Sequence, residues 1–135
     1  MTTGQVRYTI SRETSLPFTE AVECAKRFLG EAGYGVLCEI DIRAKLKEKL
    51  GVEREPYVIL GACNPLLANE GLDIEQELGA LLPCNVIIYE KEGRTRVAAV
   101  EPGRMLSVVG NEELDGIAGR VREDLARVVE GVAGA

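Results

Sequence analysis

Histidine is absent from this chain of 135 residues. Its absence removes imidazole acid–base chemistry, Ser-His-Asp and Cys-His nucleophiles, and histidine metal ligands. Tryptophan is absent as well and phenylalanine occurs only twice, so the core has to be built from Val, Leu, Ile and Ala. The four cysteines, Cys24, Cys38, Cys63 and Cys84, contain no Cys-x-x-Cys pair. Structural zinc takes four Cys or His ligands, commonly in such pairs, so neither zinc nor another metal or cofactor is expected. No apolar run approaches the ~20 residues of a membrane span, and Met1 to Gln5 lack the basic and apolar regions of a signal peptide. The expectation is a cytoplasmic protein with reduced thiols, hyperthermophilic hosts being the exception. Positive charge is also in short supply. The net charge of −6 argues against nucleic-acid binding, whose affinity comes largely from neutralising phosphates.

What is present is an ordinary globular balance, 46% hydrophobic and 28% charged residues, at a length expected to form one domain over residues 1–135. Val6 to Arg12 alternates apolar and polar residues and reads as a strand. Ser15 and Pro17 read as a cap and a helix-opening proline. Phe18, Ala21, Val22, Ala25, Phe28, Leu29 and Ala32 then share one helix face, up to a stop at Gly33. Gly35 to Ile42 reads as a second strand, with Val36, Cys38, Ile40 and Ile42 on one face and Leu37, Glu39 and Asp41 on the other. A lysine-rich helix follows from Arg43 to Leu50, with Arg43, Lys45, Lys47 and Lys49 as solvated surface. Tyr57 to Ala62 is nearly all apolar, as in a central strand buried on both faces.

Asn64-Pro65 is a cap followed by a first-turn proline, so a short helix should start there and fade near Gly71. Asp73 to Leu81 reads as a further helical turn or two. Asn85 to Tyr89 and Thr95 to Val100 read as strands joined by a hairpin at Lys91-Glu92-Gly93, and Met105 to Val109 as a short sixth strand. Asn111, with Glu112 and Glu113 behind it, should cap a last helix whose stripe runs from Leu114 through Val121 and Leu125 to Val132. Two long one-sided helices need one broad surface to cover. The fold class expected is therefore α+β: a two-layer domain with a mostly antiparallel sheet of five or six strands and both long helices on one face.

Two stretches draw attention to chemistry, Gly61-Ala62-Cys63-Asn64-Pro65 and Leu82-Pro83-Cys84-Asn85. Each sets a cysteine beside an asparagine at an element boundary, with a proline adjoining. The helix N-terminus after Cys63 favours a thiolate or a bound anion. Cys63 and Cys84 then read either as a thiol pair or as small packing residues where the chain changes direction, with Asn64 and Asn85 satisfying turn backbone. A buried pair would favour packing; an exposed pair within disulfide reach would favour thiol chemistry. Cys63 is expected to be the most reactive thiol. Cys38, beside Val36 and Ile40, reads as core, and Cys24 as lying off its helix's apolar face. Glu39 and Asp41, two apart on one strand, put both carboxylates on one face; they suit a hard cation or acid–base work, but a solvated face serves equally.

The strand Gly-Tyr-Gly-Val-Leu-Cys-Glu-Ile-Asp, the Gly61–Pro65 stretch, and Leu81-Leu82-Pro83-Cys84-Asn85-Val86 leading to Tyr89-Glu90 together resemble the prokaryotic family catalogued as domain of unknown function 302. The resemblance spans about Ser15 to Leu106. It implies an arrangement similar to the TATA-binding-protein fold and often a homodimer, and it implies no activity. Family motifs fall on Glu39, Asp41, Cys63, Asn64, Pro65, Pro83, Cys84 and Asn85, none with an established role.

Three functional readings follow. The first is a homodimeric module binding a small anionic or thiol-reactive ligand near Cys63, Asn64, Cys84 and Asn85, with Leu37 on a sheet face the helices cannot cover. The second is a thiol enzyme or redox protein using Cys63 with Cys84. The third is a structural or interaction domain.

Overall fold

The structure, a computed structural model, describes residues 8–135. Val6 and Arg7 of the expected first strand lie outside the described residues. Strands β1 (Thr9–Thr14), β2 (Gly35–Asp41), β3 (Tyr57–Cys63), β4 (Cys84–Lys91) and β5 (Arg94–Val100) form one sheet in the order β1-β5-β4-β3-β2. Every neighbouring pair is antiparallel. The helices are α1 (Phe18–Glu31), α2 (Ile42–Leu50), α3 (Pro65–Ile74), α4 (Pro102–Ser107) and α5 (Asp115–Ala133), with short 3₁₀ segments at Gln76–Leu81 and Glu112–Leu114. None is long and apolar enough to cross a membrane.

The two long helices α1 and α5 cover one sheet face. Ala21, Val22, Ala25 and Leu29 of α1, and Val121, Leu125, Val128, Val129 and Val132 of α5, pack against Val58 and Leu60 of β3, Val86 and Ile88 of β4, and Val97 and Ala99 of β5. Each large side chain so buried is worth roughly 1.5–3 kcal/mol of transfer free energy, which is how a core almost free of aromatics holds. The helix ends are as the residue types dictate: Gly33 takes φ +90 just beyond α1, and Gly51 takes φ +70 at the end of α2.

Five expectations are corrected. Ser15 is not a cap; Pro17 occupies the N-cap position of α1 with no side-chain hydrogen bond. Met105 to Val109 is not a strand, because Glu101 caps, and Pro102 opens, the helix α4 that takes up Met105. β3 is fully buried along one face only: Val58, Leu60 and Ala62 are covered, while on the other face Gly61 is buried but Tyr57 and Ile59 stay half-buried. Cys24 is buried, because α1 lies alongside α5 and so buries a wider arc than its sheet-facing stripe. Cys38 is exposed, for a reason in the register of β2. Val36 pairs with Ala62, but Cys38 pairs with Gly61, so a bulge absorbs Leu37. Past it the faces exchange: Glu39 and Asp41 share the face of Leu60 and Val58, and Cys38 and Ile40 that of Gly61 and Ile59.

Candidate functional site

The end of β3 and the start of β4 bring the two cysteine–asparagine stretches side by side, since Ala62 is the register partner of Cys84 and Gly61 that of Asn85. Strand alternation then divides each stretch between the two faces of the sheet. Cys84 falls with Val86 and Ile88 on the covered face, and joins the core. Asn85 falls with Ile87 on the other face and is exposed. Cys63, one step past Ala62, groups with Ile59 and Gly61 on the uncovered face and is half-buried. Asn64 turns the chain into α3, its side-chain oxygen accepting from the Leu67 backbone N–H at 3.2 Å. Both cysteines are free thiols, Cys84 buried and Cys63 half-buried at the strand end.

On the covered side a cavity of about 40 Å³ opens among the end of β3, α3, α4 and α5, bordered by Tyr34, Asn64, Leu67, Cys84, Met105 and Ile117. Cys63 also borders it, at the strand end. One water needs about 10–15 Å³ of such volume, so the space takes a ligand of a few atoms, far below the ~300–1,000 Å³ of drug-sized pockets. Burial pushes the Cys84 thiol up to about 11, with the nearby Cys63 adding to the effect. Cys84 is therefore a neutral S–H at neutral pH and a poor nucleophile.

Tyr34 and Asp124 were not singled out by the sequence reasoning. Asp124, only 7% exposed, interrupts the apolar stripe of α5. The Tyr34 hydroxyl donates to its Oδ2 at 2.9 Å, and Arg127 lies 3.6 Å from Oδ1. Burial, then the hydrogen bond to Asp124, holds the Tyr34 phenol well above its usual range. With its proton committed to Asp124, Tyr34 offers the cavity only an acceptor oxygen. The signal was there to read: an acid three residues after Val121 and directly before Leu125 sits where the stripe should be apolar.

Glu39 and Asp41 do share a face, but each has a local partner. Lys26 of α1 contacts Glu39 at 2.7 Å, which together with Glu23 raises the lysine's pKa. Asp41 caps α2 by accepting from the Ala44 N–H at 2.8 Å. Among the described residues, no three Cys, Asp or Glu side chains converge as a metal site.

The family model for "Domain of unknown function DUF302" matches residues 10–132. The chain belongs to the DUF302 family. It is also similar to the crystal structure of an uncharacterized conserved DUF302 protein from Bacillus stearothermophilus, at 27% identity and a TM-score of 0.89, over 94% of this chain and 99% of that one. No curated protein matches. Family membership fits the motifs on which the resemblance rested and assigns none of them a role.

Proposed function

We propose that this DUF302 domain is a homodimeric binding module whose ligand is small and uncharged, held in the cavity beside Cys84 and Tyr34. The observation that supports the reading is that Cys63 and Asn64 of one cysteine–asparagine stretch and Cys84 of the other border the same cavity. Its walls are otherwise mostly apolar and include no basic side chain, so the anionic alternative has no counter-charge within the cavity. The polar groups on offer are the thiols of Cys84 and Cys63, the Asn64 side chain and the Tyr34 acceptor oxygen. A thiol enzyme pairing Cys63 with Cys84 is disfavoured by the protonated state of Cys84.

The dimer reading is supported by the sheet's second face. Ile40, Ile59 and Ile87 stand in one register row across β2, β3 and β4; Ile59 and Ile87 are half-buried, Ile40 is 38% exposed, and none joins the core. A contiguous apolar row of this kind marks an interaction surface.

Xenon, a neutral probe of about the right size, tests the ligand reading. Under xenon pressure, methyl resonances of Leu67, Ile117 and Val121 should shift in a saturable way. Ala68→Leu, which fills the cavity from α3, should abolish the shift. Unperturbed methyls in the parent would reject the reading.

A further inference from the structure

We infer that the cavity selects a small alcohol, whose hydroxyl donates to the Tyr34 oxygen and accepts from the Cys84 thiol. The inference rests on the cavity reading above and deepens it by naming the chemical class of the ligand.

Cys84 is 7% exposed and borders the cavity. The sulfur of Cys24, equally buried, accepts from Arg27 at 3.6 Å. Among the described residues, the Cys84 sulfur has no such partner. Burial keeps this thiol protonated, so it has a proton to donate and nothing in the fold to take it. Tyr34 is its complement. Almost fully buried, it gives its own proton to Asp124 at 2.9 Å. Its oxygen can then only accept, and among the described residues no donor reaches it. The two groups are near each other: after burial and Asp124, Cys84 is the next influence raising the Tyr34 phenol.

A free acceptor and a weak donor on an apolar wall define the class by elimination. Carboxylates, phosphates and ammonium ions are charged at neutral pH, and no charged side chain borders the cavity. Ethers, aldehydes, ketones and diatomic gases carry no proton for Tyr34 and leave its buried oxygen unpaired. Amides present a strong carbonyl acceptor, which a thiol, a weak donor, satisfies poorly. A hydroxyl donates well and asks little in return.

The remaining walls set the rest of the molecule. Water meets both polar groups but not Leu67, Met105 and Ile117, whose apolar surfaces favour an alkyl chain. A volume of about 40 Å³ limits the ligand to about two or three heavy atoms, the scale of methanol or ethanol. Cys63 and Asn64 compete weakly for the hydroxyl. Both are only half-buried, so water serves them, and the Asn64 oxygen already accepts from the Leu67 N–H.

Ethanol and dimethyl ether, isomers of one formula, test this when each is titrated against the methyl resonances of Leu67 and Ile117. The ether is the less strongly hydrated of the two, so a cavity with no free acceptor would prefer it. The parent should instead bind ethanol more tightly, and Ala68→Leu should block both. Tyr34→Phe, with circular dichroism confirming that it folds, should lose ~10-fold in ethanol affinity, the worth of one hydrogen bond, while its xenon response stays unchanged. A parent that prefers the ether overturns the inference whether or not the Phe variant folds. A folded Tyr34→Phe that keeps its ethanol affinity overturns it too. A parent that responds to xenon but not to ethanol would overturn the alcohol and leave the cavity reading standing. No response to either would overturn both.

Discussion

Cys84 has a neutral thiol set into the wall of a cavity, and that has a measurable consequence. Its folded-state pKa of about 11 lies above its ordinary 9.0. A raised pKa means the folded state prefers the protonated form, so the stabilisation is complete below pH 9 and is lost as pH rises through 11. The loss is about 2–3 kcal/mol. Urea unfolding of the parent should therefore lose that much more stability between pH 9 and 11 than unfolding of Cys84→Ala, which removes the titrating group. Parallel losses in the two proteins would contradict the burial of Cys84. At this scale the sequence was legible where a side chain answers a local need: Asn64 caps α3 as its position before Pro65 implies. It was not legible where exposure depends on a partner far along the chain. Tyr34 reads as an ordinary turn tyrosine until Asp124, 90 residues away, supplies its hydrogen bond.

Helices α1 and α5 were readable because their stripes have the 3.6-residue period and nothing in the chain competes with it. Their contact is set by a detail the stripe does not show. A side chain at Gly131 would meet the Phe28 ring at 2.7 Å, so this glycine is the gap into which Phe28 packs. Alanine there gains about 1 kcal/mol of helix propensity but overpacks a well-filled contact, which costs about 1–3 kcal/mol. Gly131→Ala should lower stability by about 1 kcal/mol, and Phe28→Leu in the same chain should recover part of it; thermal melts measure both. A Gly131→Ala protein more stable than its parent would show that the helices can part without cost. The strands were harder to read. In β2 strict alternation in the residues hides the bulge at Leu37, which is a property of pairing with β3 and inverts the faces of everything after it. The α4 segment shows the reverse case. Its β-branched tail suggested a strand, while the Glu101-Pro102 start that decides the matter lies just upstream.

At the scale of the whole molecule, the sheet is a partition. The long helices α1 and α5, the core and the cavity lie on one side, with Cys24 and Cys84 among the buried residues. On the other lie the isoleucine row and exposed Cys38, whose sulfur occupies the space left by the missing side chain of Gly61. The two-layer class, the sheet and the family were all legible from stripe lengths and motif order. The division of the two cysteine–asparagine stretches between the faces was not, because it depends on register, which no single strand's sequence contains. The four thiols report on that division. Native protein at pH 8 is exposed briefly to a small alkylating reagent, with each cysteine scored by peptide mass, in the parent and in Ile87→Asp. The variant, lacking a partner copy, should label at Cys38 and stay protected at Cys24 and Cys84. The parent, with a second copy over its open face, should be protected at Cys38 as well. Labelling of Cys84 in the folded variant would contradict the partition, and equal labelling of Cys38 in both proteins would contradict the dimer built upon it.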